Sequence, residues 1–166
     1  MLPGTSQIAP FLKNCHIFLE TYFAAAHLGL VLVPLNIRLS PEELAMILND
    51  SQCRLLVAQP LFHDKAKELP RFVPSLERVI WTLKEEVSPI GLRDERYDSL
   101  VEGQPETPLP ELSIRDEEVA HLYYTSGTTG RPKGVILLYR HLDLFPQPLI
   151  EPSCLGVRQR SLVQVV

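Results

Sequence analysis

The stretch His121–Leu138, HLYYTSGTTGRPKGVILL, carries the most information in the chain. Its first residues, His121-Leu122-Tyr123-Tyr124-Thr125, and its last, Val135-Ile136-Leu137-Leu138, are aromatic, β-branched or aliphatic and suit strands. Between them lie Ser126, Gly127, Thr128, Thr129, Gly130, Arg131, Pro132, Lys133 and Gly134, a composition that suits a loop. The expected unit is a strand–loop–strand hairpin.

The loop has a chemical logic. Glycines at 127, 130 and 134 allow close approach of the backbone to a ligand and conformations closed to other residues. Freed backbone N–H groups form anion-binding concavities. Ser126, Thr128 and Thr129 add hydroxyl donors, and Lys133 adds a compact positive charge suited to phosphate. Pro132 restricts the backbone just before that lysine. Small donors, glycines and one ammonium group together suit a polyphosphate. A Walker A loop requires Gly-Lys followed by Ser or Thr at a fixed spacing, whereas here Lys133 precedes Gly134. A P-loop NTPase or kinase is therefore a poor match.

Upstream of the hairpin, helical and strand patterns alternate. Residues 7–12 (QIAPFL) predict a short strand weakened by Pro10. A strongly apolar helix follows from Asn14 or Cys15 to about His27, with Gly29 as its stop signal. Val31–Leu35 predicts a strand ended at Pro34. Ser40-Pro41-Glu42-Glu43 has the form of a capping box, so a helix starts there, with Leu44, Ile47 and Leu48 as its inner stripe and an end near Asn49–Ser51. Arg54–Ala58 and Arg78–Thr82 read as buried strands flanking a short helix over residues 61–69. This β-α-β-α-β order predicts an α/β fold, a parallel sheet with helices on its faces. Residues 83–119 read as a charged, proline-bearing surface connection with one short helix near Tyr97–Val101, leading into a strand over Glu117–Thr125.

Composition narrows the function classes. The chain has 166 residues, 45% hydrophobic and 22% charged, in the range of one globular unit. A net charge of -4 argues against general binding to nucleic acid or anionic membranes. The three cysteines, Cys15, Cys53 and Cys154, form no CxxC pair and no disulfide framework, so a reduced, cytoplasmic setting is expected. The N-terminus lacks the basic start and apolar core of a signal peptide. The apolar run Ile17–Leu35 is interrupted by Glu20, His27 and Pro34, which fits a buried helix and strand better than a membrane span. None of the histidines at 16, 27, 63, 121 and 141 pairs with another at zinc-ligand spacing on a helix face, and all read as surface or packing residues.

The string Tyr124–Gly134, YTSGTTGRPKG, is similar to the signature of the adenylate-forming (AMP-binding) superfamily: acyl-CoA synthetases, peptide-synthetase adenylation domains and luciferases. Residues 21–51 (TYFAAAHLGLVLVPLNIRLSPEELAMILNDS) resemble the region that precedes it in acyl-CoA synthetases, and the resemblance extends over roughly residues 7–142. It implies part of the large N-terminal domain of a carboxylate–CoA ligase. Such an enzyme forms an acyl-adenylate from ATP and a fatty, aromatic or other carboxylic acid, then an acyl-CoA. Carried over by position, Thr125, Ser126, Gly127, Thr128, Thr129, Gly130 and Lys133 would contact the β- and γ-phosphates. ATP, Mg2+ and coenzyme A are the cofactors the resemblance implies. No residue is assigned to metal or to coenzyme A, and no catalytic residue is assigned.

The resemblance weakens after the loop. Where the family continues with a Thr-His-Arg-Asn-like segment, this chain has Leu138, Tyr139, Arg140 and His141, and only Arg140 agrees. Residues 143–166, with Pro146, Pro148 and Pro152, oppose the helix expected there and read as a divergent or disordered tail after a domain part at 1–142. The family's later elements (adenine pocket, acidic magnesium ligand, ribose-binding aspartate, hinge and small C-terminal domain) have no counterpart here. The isolated chain is therefore expected to be catalytically inactive. A non-catalytic nucleotide-binding or interaction module, self-associating through exposed core surface, and a truncated gene product without function of its own are the alternatives left open.

Overall fold

A computed structural model describes residues 6–82, 87–104, 113–125 and 131–142. Seven strands form one sheet in the order β5-β4-β3-β1-β2-β6-β7. In chain order these are β1 (Gln7–Phe11), β2 (Val31–Leu32), β3 (Leu55–Ala58), β4 (Arg78–Trp81), β5 (Arg93–Arg96), β6 (Val119–Thr125) and β7 (Lys133–Leu138). All neighbours pair in parallel except β6 and β7, which are antiparallel. The helices are α1 (His16–His27), α2 (Pro41–Ser51), α3 (His63–Ala66), α4 (Leu69–Phe72), α5 (Tyr97–Val101) and α6 (Tyr139–Leu142), with a 3-10 turn at Pro60–Phe62. The α/β class and the mainly parallel sheet agree with the sequence reading.

The central strands are apolar on both faces, as buried parallel strands are. Ala9, Phe11, Leu56, Ala58, Val79 and Trp81 join the core packed by α2, α3 and α4. Ile8, Leu55, Val57, Ile80 and Leu32 point the other way and meet α1 and α5. Connections that step toward β7 (β1 to β2, β5 to β6) carry α1 and α5 on one face. Those that step toward β5 (β2 to β3, β3 to β4) carry α2, α3 and α4 on the other. Crossovers of one hand force this coupling of direction to face.

Local chemistry sets the boundaries. Helix α1 ends in a Schellman motif: Gly29, with φ 65, donates its N–H to the Ala26 carbonyl at 3.3 Å, and Leu30 donates to that of Ala25 at 2.9 Å. Helix α2 begins in the expected capping box, with the Ser40 N–H on Glu43 Oε2 at 2.8 Å and the Glu43 N–H on Ser40 Oγ at 3.3 Å. β2 is only two residues long. Extending its register with β1 would bring Pro10 abreast of Pro34, and neither can donate to the ladder.

The strand expected over residues 7–12 is present, and its Pro10 sits in the middle of the sheet, paired with Val57. It is tolerated because its carbonyl still accepts from the Leu35 N–H at 3.0 Å. The helix expected over 61–69 is broken into the 3-10 turn, α3 and α4, with Pro70 opening the first turn of α4. The connection after β4 also contains an unforeseen strand, β5. Its sequence, Arg-Asp-Glu-Arg, has no β-forming character. It is held instead by pairing with β4, by Asp94 Oδ1 accepting from Trp81 Nε1 at 2.9 Å, and by the Arg78–Glu95 ion pair at 2.7 Å. Charged residues suit such an edge. The short helix expected at Tyr97–Val101 is present as α5.

Polar residues also enter the core of the α1 layer. Glu20 is buried on the inner side of α1 and accepts a hydrogen bond from the fully buried Tyr97 hydroxyl of α5. Cys53 is fully buried, and burial pushes its thiol up to about 12, so it is inert at neutral pH. Trp81 is the chain's one tryptophan and is fully buried, which makes its emission a probe of unfolding. Replacing the helix cap by Ser40→Ala is expected to lower stability by about 1 kcal/mol. Urea unfolding followed by Trp81 fluorescence checks it, as a lower midpoint at unchanged slope.

Candidate functional site

The hairpin expected from the sequence is present. β6 pairs with β7 from Val119↔Leu138 to Thr125↔Lys133, with an irregularity between Val119 and His121. Because β6 is parallel to β2, Thr125 lies at the carboxyl-terminal edge of the parallel strands, the edge where open α/β sheets bind ligands. The second strand starts at Lys133, two residues earlier than Val135. Ser126, Gly127, Thr128, Thr129 and Gly130 lie outside the described residues. The structure thus brings together two of the expected contacts, Thr125 and Lys133, as direct cross-strand partners.

Both side chains are exposed, and Lys133 has no ion-pair partner among the described residues. Arg131, also exposed, lies two residues before it. An exposed ammonium group paired with a hydroxyl at this edge fits an anionic ligand. For a divalent cation the fit is different. No three His, Cys, Asp or Glu side chains gather to hold a metal among the described residues.

Alternation divides the hairpin between the two faces. Leu122 and Tyr124 lie on the α2 side with its core. His121 and Tyr123 lie on the α1 side, where Tyr22 stacks at 4.8 Å from His121, which in turn meets Tyr123 edge-on at 5.7 Å. By the same alternation Thr125 and Lys133 belong to the α1 side and Gly134 to the α2 side. A recess of about 480 Å³ opens on the α2 side, between Met46, Asn49 and Asp50 of α2 and Arg131 and Pro132. It lies across the sheet from the direction in which Thr125 and Lys133 project.

The role expected of Gly134 changes. Its φ is not in the left-handed region, and it sits in β7 opposite Tyr124. A Cβ there would lie 3.2 Å from Tyr124 Cζ and 3.4 Å from its hydroxyl oxygen. The glycine leaves room for the ring of Tyr124. That ring's hydroxyl donates to Asp50 Oδ2 at 2.5 Å. Burial, and then the hydrogen bond and charge of Asp50, push the Tyr124 phenol well above its ordinary range. The contribution of Asp50 was not legible in the sequence. It lies 74 residues from Tyr124, at a position read only as a helix end.

Histidines act here as packing groups. His121 is 3% exposed, and its Nδ1 has no partner among the described residues. His63 stacks at 5.6 Å from Trp81 and bonds the Ser88 carbonyl at 2.9 Å.

The chain is thus an open α/β domain with helices on both faces of its sheet, whose last parallel strand pairs with an antiparallel partner. The AMP-binding enzyme family matches residues 3–144, and the chain belongs to that family. The chain is 34% identical over 145 residues to 4-hydroxybutyrate–CoA ligase 2 of Metallosphaera sedula, a match covering 84% of this chain and 26% of that protein. It is 33% identical over 136 residues to a crotonobetaine/carnitine–CoA ligase of Escherichia coli, covering 82% of this chain and 26% of the relative. Among solved structures it resembles an anthranilate–CoA ligase in complex with anthranoyl-AMP, with TM-score 0.76, 25% identity, and coverage of 86% and 27%. The fold also resembles part of the A-PCP didomain of a carboxylic acid reductase from Segniliparus rugosus, with TM-score 0.71, 21% identity, and coverage of 85% and 23%. The chain thus spans 26% of the length of these curated relatives. Among the described residues no helix is long and apolar enough to cross a membrane.

Burial pushes the His121 imidazole down to about 4. The unfolded chain, with an ordinary histidine near 6.5, therefore binds the extra proton between those values. This contribution to stability is complete above pH 6.5 and falls away as pH drops toward 4, by about 3 kcal/mol. Urea unfolding at pH 7, 5.5 and 4.5 should show His121→Phe losing less stability on acidification than the parent chain.

Proposed function

We propose that this chain is part of an ATP-dependent carboxylate–CoA ligase, with Thr125, Ser126, Gly127, Thr128, Thr129, Gly130 and Lys133 forming the loop that holds the β- and γ-phosphates of ATP. The observation that carries this reading is the pairing of exposed Lys133, which has no ion-pair partner among the described residues, with Thr125 at the ligand edge of the sheet. Family membership and the CoA-ligase names of the relatives support it. The proposed unit is the N-terminal domain part, residues 1–142, followed by a divergent tail at 143–166.

In this reaction a carboxylate oxygen bonds to the α-phosphorus as the bond from that phosphorus to the bridging oxygen breaks. Pyrophosphate leaves, and a thiolate then displaces AMP from the acyl carbon. The residues of this chain contribute binding and orientation. Lys133 neutralises charge on the outer phosphates, and the hydroxyls and loop amides fix their position, so that the leaving group is held as its charge grows. Mg2+ would enter with ATP and lower the charge of the phosphates further. Coenzyme A has no assigned residue in this chain, and the carboxylic acid is set by other parts of the enzyme. A cytoplasmic setting, where ATP and reduced thiols are both at hand, fits this chemistry.

Titration of the chain with ATP and Mg2+ tests the reading. The parent is expected to bind, and Lys133→Ala to bind about tenfold more weakly, the effect of losing one charged hydrogen bond. Absence of binding by the parent, or equal binding by the variant, would overturn it. Catalysis by the isolated chain is not expected: ATP–pyrophosphate exchange driven by any carboxylate, with the pure polypeptide, should stay at background.

A second reading, a module that self-associates, is favoured by the exposure of Val135 (47%) and Ile136 (52%) on opposite faces of β7, an end strand of the sheet. On α1, Ile17, Ala24, Ala25 and Ala26 are buried, while Leu19 is exposed and adds to the uncovered apolar surface. Sedimentation velocity distinguishes the two. This reading expects dimers or larger species that Ile136→Lys shifts toward monomer, and a concentration-independent monomer would reject it.

A further inference from the structure

We propose that Asp50, at the last turn of α2, is a positioning residue for Thr125 and Lys133 in the hairpin stem, acting through the hydrogen bond it accepts from the Tyr124 hydroxyl. The proposal rests on the phosphate-binding reading of the hairpin.

The hairpin is lightly attached to the rest of the sheet. β6 meets β2 at one register pair, Leu32↔His121. Leu122 to Thr125 therefore run on past the end of β2, and their one paired neighbour is β7, itself an end strand. Nothing in the strand pairing fixes how far this stem leans toward or away from the body of the domain.

On the α2 side a contact chain does so, opposite the Tyr22–His121–Tyr123 contact with α1. The Tyr124 hydroxyl reaches Asp50 Oδ2 at 2.5 Å, a hydrogen bond assisted by charge. The ring that carries it lies against Gly134, where an added Cβ would be 3.2 Å from Cζ and 3.3 Å from Cε1. Helix α2, β6 and β7 are thus joined at one level of the hairpin. That level is one residue before Thr125 and one residue after Lys133. Any rotation of the stem that moved Lys133 would have to move the Tyr124 ring or break its bond to Asp50. Asp50 itself is anchored, since the neighbouring Asn49 amide donates to the Phe72 carbonyl of α4 at 2.8 Å and the helix is packed through Leu44, Ile47 and Leu48. A carboxylate on a rigid helix is an effective support for a site carried on a hairpin.

The experiment compares the full chain with Asp50→Ala, Asp50→Asn, Tyr124→Phe and the double variant Asp50→Ala/Tyr124→Phe. It uses amide hydrogen exchange over residues 122–125 and 133–136, titration with ATP and Mg2+, and urea unfolding followed by Trp81. Expected are exchange in the stem faster by about tenfold and MgATP binding weaker by about tenfold for Asp50→Ala and Tyr124→Phe, with the double variant no worse than either. Asp50→Asn, whose amide oxygen can still accept, should recover most of both. Unchanged stem exchange would overturn the proposal, as would additive effects in the double variant. Faster exchange with unaltered MgATP affinity would overturn the positioning role and leave Asp50 a structural residue. A parent chain that binds no MgATP would instead overturn the phosphate reading, and with it any ligand role for Asp50, whatever the exchange shows.

Discussion

β1, β3 and β4 present apolar side chains to both faces of the sheet, and most of the architecture follows from covering those two faces at once. A strand buried on both sides needs a helical layer above and another below. Crossovers of a single hand then tie the direction of each step along the sheet to the face its helix covers. The chain leaves β1 in one direction through α1 and returns over it in the other through α2. The carboxyl ends of the parallel strands are thereby collected on one edge, and β6 delivers the loop to it.

The hairpin is the exception to this pattern. It is antiparallel, it reaches past the end of β2, and β7 exposes apolar side chains on both faces. Its place relative to the domain depends on side chains more than on the ladder. Tyr124 turns the hairpin toward α2, Asp50 receives it, and Gly134 gives the ring room. On the opposite face, Tyr22, His121 and Tyr123 make an aromatic contact with α1, at the cost of a buried imidazole that stays neutral. Thr125 and Lys133 lie just beyond this double anchorage.

Local chemistry was the most legible part of the sequence. The capping box at Ser40–Glu43, the left-handed stop at Gly29 and the buried strands around Leu56 and Ile80 all follow from interactions among near neighbours or from simple burial. β5 was illegible for the complementary reason. Arg93–Arg96 carries no intrinsic preference for a strand, and its conformation is imposed by the exposed edge of β4 and by partners at Trp81 and Arg78. Pro10 sits inside the sheet although proline usually marks a sheet's margin. In this parallel ladder its missing donor faces the short β2, which stops at that point.

By itself the sequence determined the class of fold, the family, and the loop residues proposed to hold the outer phosphates of ATP. Each of these is written in contiguous residues: periodicity, caps, and a loop of glycines, hydroxyls and one lysine. The tertiary structure decided which distant residues meet the stem of that hairpin. Asp50 and Tyr124 meet because α2 crosses over β1 to pack on the same face as the even-numbered residues of β6, a proximity no local pattern encodes. It also decided that Gly134 serves a neighbouring ring rather than a turn, since that depends on the register of two strands and on what lies across from each residue.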